Sequence, residues 1–240
     1  MSNLKKAYEY IFPKYTRVPL LTTVIISLIG YYGLKVVQLF QTLVPVWKLP
    51  IDDKIPFIPE FIFVYVIAFA QWVIGFIIIA REDRPTAYRV LSADIMGKLI
   101  AFALFIIFPL TMGDIRPNVT PTDFPTWVCA FIFSTDTTTN LFPSLHCFES
   151  WIVARGSMGL KKVPKWYIIM QTVLSVGIFF STVFVKQHVV LDVISGIVLV
   201  EIVLFISRKA DTARVYFKWE EARNRRHAEK SHRKGVSADE

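Results

Sequence analysis

Two histidines stand in compact polar clusters within an otherwise apolar chain. One cluster is Asn140-Leu141-Phe142-Pro143-Ser144-Leu145-His146. The other is Lys186-Gln187-His188-Val189-Val190-Leu191-Asp192. Ionisable groups at membrane depth are costly to keep and are a functional-site signal by default. His188 and Asp192 are four residues apart at the start of a helical pattern, so they share one face. A carboxylate there accepts from one ring nitrogen, fixes the tautomer, and leaves the other nitrogen free to attack. Imidazole is a competent nucleophile toward phosphorus at neutral pH. A His–Asp pair that merely staples helices has the same spacing, and this motif alone does not separate the two readings.

His146 closes a Pro-Ser-Leu-His run where a second helical pattern begins. Pro143 suits a first helical position and Asn140 a cap. Free N–H groups at a helix start bind phosphate, and Ser144 adds a hydroxyl. His146 is then placed to protonate a leaving oxygen. The same residues also describe a plain capped helix start with one interfacial histidine. Arg116, in Arg116-Pro117, offers a fork that matches phosphate oxygens. Lys186, two residues before His188, offers a second positive charge. Charge spreading over the equatorial oxygens is what a phosphoryl-transfer site must stabilise. Headgroup anchoring for Arg116 and snorkelling for Lys186 are the plainer alternatives. Glu149 is a candidate to tune His146 or to cap a structural network, Glu201 a candidate for a paired carboxylate, and Asp52 and Asp53 read as solvated loop charges, with orientation of a headgroup as the alternative. HExxH, paired CxxC, Gly-rich phosphate loops and EF-hand patterns do not occur, so neither a metal nor a cofactor is expected.

These clusters need elements to carry them. Hydrophobic residues make up 54% of the 240, and they come in blocks. A span needs about 20 mostly apolar residues. Six are expected, at 18–40, 61–80, 96–112, 144–158, 167–185 and 189–207, giving an all-α, polytopic six-helix bundle. The apolar stretch 127–133 is too short to cross and reads as a re-entrant or interfacial helix. No cleavable signal peptide is expected, because the first span is long and lacks a small-residue cleavage site. Residues 1–207 form the membrane-embedded domain and 208–240 a basic tail. Cys129 and Cys147 read as unpaired thiols, unless the fold brings them together as a pair.

The net charge of +8 is not spread as a nucleic-acid surface requires. Ten of the Lys and Arg residues lie from Arg208 to Lys234 and most others border spans, which fits topology and lipid headgroups. With six spans, 22 basic residues fall on the side of both termini. Only Lys48, Lys54, Arg116 and Lys186 fall on the other, and Lys35 lies within the first span. Both termini are therefore expected in the cytoplasm, and Arg116, His146 and His188 at the outer face of the cell membrane. The expected partners are membrane lipids and a lipid phosphate substrate, not nucleic acid.

The residues from 96 to 207 resemble the type 2 phosphatidic acid phosphatase superfamily, whose pattern is K-x6-RP, then PSGH, then SR-x5-H-x3-D. Arg116-Pro117, Pro143-Ser144-Leu145-His146, and Ser181-Thr182 followed by His188 and Asp192 stand in that order and at those intervals. The resemblance implies a six-helix membrane fold and His188 as nucleophile through a phosphohistidine. It also implies Asp192 as orienter, His146 as general acid, and Arg116 and Ser144 as phosphate ligands. The pattern's lysine is Pro109 here, its glycine Leu145 and its arginine Thr182. Two expected cations are therefore missing, with Lys186 as candidate replacement. These departures are similar to the branch that includes fungal inositol phosphorylceramide synthases and their bacterial relatives. Three functions are expected in turn: a metal-independent lipid phosphate phosphatase, a lipid phosphotransferase of the same fold, or a catalytically silent lipid-binding or transport protein.

Overall fold

A computed structural model describes residues 3–236. Its helices are α1 (Asn3–Ile11), α2 (Lys14–Gln38), α3 (Ile62–Ala80), α4 (Arg84–Ile107), α5 (Phe124–Thr135), α6 (Leu145–Ser157), α7 (Lys165–Phe184), α8 (Val190–Lys209) and α9 (Thr212–Val236). Two short strands, β1 (Val44–Pro45) and β2 (Leu110–Thr111), pair in parallel. The protein is mostly helical, and five helices are long and apolar enough to cross a membrane: α2, α3 with the turn before it, α4, α7 and α8.

The fourth expected span is α6, which has 13 residues. At 1.5 Å per residue it is ~20 Å long, short of the ~30 Å hydrocarbon core. It packs inside the bundle against α3, α4, α7 and α8. Because its neighbours shield it, it has no need to match the bilayer by itself. A Cβ on Gly97 of α4 would sit 2.1 Å from the Phe148 ring, and one on Gly196 of α8 would sit 2.6 Å from the Ser144 carbonyl oxygen. Glycine lets α8 close on the backbone at the start of α6 at Gly196, and lets the Phe148 ring of α6 lie against the backbone of α4 at Gly97.

The third span requires a correction. It begins at Arg84, not 96, because the Asp83 carboxylate caps the helix by accepting from the Thr86 N–H at 2.8 Å, with Pro85 in the first turn. Its polar first turns hide this start from a hydropathy reading. Lys98, counted above among the 22 basic residues as a cation of the loop before this span, is therefore not a loop cation. It lies within α4, buried, with its ammonium 2.9 Å from Asp94 and 2.7 Å from Glu149. Glu201 is paired as expected, with Arg155 at 2.6 Å and Trp151 at 2.9 Å.

The two ends of the bundle differ in content. At one end the Tyr15 hydroxyl donates to the Ala80 carbonyl at 2.9 Å. Glu82 accepts from the N–H groups of Lys161 and Lys162 at 2.9 and 3.1 Å. Arg81 lies over the Tyr10 ring of α1 at 3.9 Å, and Tyr216 of α9 stacks on Tyr88 at 4.8 Å. At the other end the connections 39–61, 108–144 and 185–189 meet. There Ile58 donates to the Phe184 carbonyl at 3.0 Å, and Val44 to that of Pro109 at 3.0 Å. Both histidine clusters sit at this second end, opposite α1 and α9.

Candidate active site

The turn carrying His188 is closed by the end of α7. The Lys186 N–H donates to the Val183 carbonyl at 3.2 Å and the Gln187 N–H to that of Thr182 at 2.9 Å. This is a Schellman closure, in which the residue after the cap is left-handed and usually glycine. Here it is Lys186, with φ 54°, at a cost of roughly 1 kcal/mol. The next three residues, Gln187, His188 and Val189, lead into α8. Asp192, in the first turn of α8, accepts from the Val189 N–H at 3.1 Å, and the same oxygen lies 3.3 Å from His188 Nδ1. Asp192 is 1% exposed, so one carboxylate both caps the helix and faces the ring. With Nδ1 turned to Asp192, Nε2 is the open ring nitrogen of His188.

His146 is the second residue of α6. The cap of this helix is Ser144, whose Oγ accepts from the Cys147 N–H at 3.3 Å. The expectation of Asn140 as cap and Pro143 inside the helix is therefore corrected. Asn140 is left-handed, with φ 64°, and its side-chain oxygen accepts from Gln38 at 2.6 Å. Asn tolerates that conformation, which ends the preceding loop instead of starting a helix. Ser144 also donates its N–H to the Asp192 carbonyl at 3.0 Å, tying the start of α6 to that of α8. The N–H groups of Leu145 and His146 are among those an α-helix leaves without an intrahelical partner. The His146 ring stacks on Tyr65 at 4.3 Å and is flanked by Trp72 at 5.2 Å and Phe69 at 5.6 Å. Its Nε2 is buried with no protein partner. The centroids of the two histidine rings are 6.1 Å apart.

Arg116 reaches the same neighbourhood through Gln187. Its guanidinium donates to the Gln187 side-chain oxygen, to the Thr137 carbonyl at 3.0 Å and to the Asp136 carbonyl at 3.4 Å. Its Nε is buried without a partner. Burial lowers its pKa, and Asp136 opposes that shift. Arg116 lines a cleft of about 370 Å³ with Asn118, Ser134 and Thr138. Lys186 is placed differently. Its ammonium donates to the carbonyls of Ile55 at 2.6 Å and Asp52 at 3.2 Å. Burial lowers its pKa too, against the pull of Asp52 and Asp53.

The structure brings His188, Asp192, His146 and Ser144 together, links Arg116 to them through Gln187, and aims Lys186 at the connection 39–61. It also adds residues that spacing did not reveal. Asp52 is 4% exposed, not solvated, because its carboxylate accepts from the Val190 N–H at 2.8 Å at the start of α8. Asp136 and Tyr65 line a cavity with His146. None of these lies in a short motif, so no one-dimensional signal marks them. Cys129 and Cys147 are both free and buried. Among the described residues, no three His, Cys, Asp or Glu side chains cluster as metal ligands.

The cavity itself has a volume of about 730 Å³ and lies between α2, α3, α4 and α6. Its lining is largely aromatic and aliphatic, with Val24 and Leu28 from α2 and Phe69 and Val73 from α3 also exposed on the flank of the bundle. His146 stands among its walls, as do the buried Lys98 and Glu149.

No curated protein and no solved structure matches the chain. A family model does: that of the PAP2 superfamily, over residues 60–216. That stretch covers well over half of the chain and contains both histidines, their aspartate and the helices that hold them, and on this match the chain belongs to the PAP2 superfamily.

Proposed function

We propose that the protein is an integral-membrane lipid phosphate phosphatase, acting on a phosphate monoester or pyrophosphate at the outer face of the cell membrane. Membership of the superfamily supports phosphatase- or phosphotransferase-type activity in general. The observation that carries the finer reading is the convergence of the two imidazoles, 6.1 Å apart beside an apolar cavity. The concentration of basic residues at the opposite end of the bundle supports the outward-facing site.

In this reading the lipid chain occupies the cavity and its phosphate lies between the rings. His188 Nε2 attacks phosphorus while Asp192 holds Nδ1. The bond from phosphorus to the lipid oxygen breaks, and His146 Nε2 gives that oxygen a proton. His146 then takes a proton from water, which attacks the phosphohistidine. Free phosphate leaves and His188 is restored. Arg116 and the first N–H groups of α6 stabilise the phosphate oxygens. Lys186 contributes by tethering the loop that carries Asp52.

A phosphotransferase, in which a lipid hydroxyl replaces water, is the second reading. The unpartnered carboxylate oxygen of Glu149 on the cavity lining favours it. Purified protein in detergent, offered phosphatidate, lysophosphatidate, phosphatidylglycerophosphate and undecaprenyl diphosphate, separates the readings by product: free phosphate or a new phospholipid. Turnover is expected to persist in EDTA, since the cations are side chains. An acid-labile phosphohistidine should be trapped at short times. Neither product from any lipid would leave the silent lipid-binding protein standing.

A further inference from the structure

Below His146 the cavity meets a second polar group that the proposed hydrolysis does not use. Glu149 follows His146 by three residues on α6, about 4.5 Å further along the axis. Its Oε1 accepts from Lys98 at 2.7 Å. Lys98 also donates to Asp94 at 2.9 Å, and Thr23 donates to the same Asp94 oxygen at 2.6 Å. Glu149, Lys98 and Asp94 are 7%, 3% and 0% exposed. One ammonium thus serves two carboxyl groups that also touch each other, and two of their oxygens, Glu149 Oε2 and Asp94 Oδ1, are buried with no N–H or hydroxyl donor. Carboxylate oxygens left dry and unpaired are expensive. Glu149 lines the cavity together with Lys98 and His146.

We infer that Glu149, held by Lys98 and backed by Asp94, is a subsite for a hydrogen-bond donor on the lipid, namely a free hydroxyl on the carbon beside the phosphate ester. The inference rests on the catalytic reading for its register: phosphate at the histidines, hydroxyl one helical turn deeper, chain along the apolar walls. Such a hydroxyl lies a few bonds from phosphorus, which matches the step from His146 to Glu149. Monoacylglycerol phosphates carry this group. Polyprenyl diphosphates do not, and they would leave the oxygen unpaired.

The test uses the full chain in detergent and three lipids of equal chain length: a monoacylglycerol 3-phosphate, its 2-deoxy analogue and its 2-O-methyl ether. Phosphonate versions report equilibrium binding and the phosphates report release. The hydroxyl lipid is expected to bind about 5- to 100-fold tighter than either analogue. Glu149→Gln reverses the polarity. Lys98 offers only donors, so the amide oxygen must face it and the amide nitrogen faces the cavity. The methyl ether, which only accepts, should then gain on the hydroxyl lipid. Equal binding of all three to the wild type, or binding of none, overturns the subsite. Equal binding with phosphate release leaves the catalytic reading standing alone. Tighter binding of the hydroxyl lipid without any phosphate release does the reverse.

Discussion

The two histidines face each other from opposite kinds of surroundings. His188 is held by polar contacts, with a carboxylate at one ring nitrogen, that carboxylate pinned by a backbone N–H, and a closed helix end behind it. His146 is held by ring faces, with Tyr65, Trp72 and Phe69 around it and no acceptor for Nε2. The difference bears on the two roles proposed above. A nucleophile needs one tautomer and one lone-pair direction, which a fixed acceptor supplies. The proposed proton donor has only ring faces around it, which favour the neutral imidazole, so the phosphate itself has to draw in the proton that is passed on.

That contrast can be broken experimentally, and the largest effect tests its polar half. His188→Ala should lower lipid phosphate turnover by at least about 10⁵-fold and abolish the trapped phosphohistidine, with the thermal midpoint little changed. Asp192→Asn should cost roughly 10³- to 10⁴-fold in kcat, since the amide favours the wrong tautomer. His146→Gln should cost about 10²- to 10³-fold on an alkyl phosphate but far less on an aryl phosphate, whose leaving oxygen needs no proton. If Asp192→Asn were rescued by the aryl ester and His146→Gln were not, the two roles would have to be exchanged. Gly196→Val should destabilise the protein by about 1–3 kcal/mol or more, read as a lower thermal midpoint in detergent, because the added carbons meet the Ser144 carbonyl. Lys186→Asn should have the smallest effect, less than about tenfold in kcat/KM. Asn tolerates the left-handed turn, and the lost ammonium faces carbonyls. A loss near that of Asp192→Asn would place the ammonium on the phosphate.

What was legible in the sequence was local. His188 and Asp192 are one helical turn apart, so their shared face could be read from spacing. The apolar blocks marked most of the helices. What escaped was set by partners distant in the chain or by polar residues within helices. Asp52 caps α8 from 138 residues away, and a loop carboxylate of that kind looks the same as a solvated one. Lys98 reads as a boundary charge until α4 is extended back to Arg84 and Glu149 is brought alongside. The cap of α6 is Ser144, directly before Leu145, while Asn140 stays in the loop and accepts from Gln38 on α2. Thr182, where the superfamily pattern places arginine, is buried and spends its carbonyl on the closure of α7.

The cavity beside His146 has its rim on the flank of the bundle, where α2 is the least buried of the five long helices. On the proposed function, a lipid arriving there would travel sideways within its leaflet without passing through bulk water. Its effective abundance is then a surface density. Rates should follow the mole fraction of substrate among neighbouring lipids, and adding inert phospholipid at constant total substrate should slow the enzyme by surface dilution.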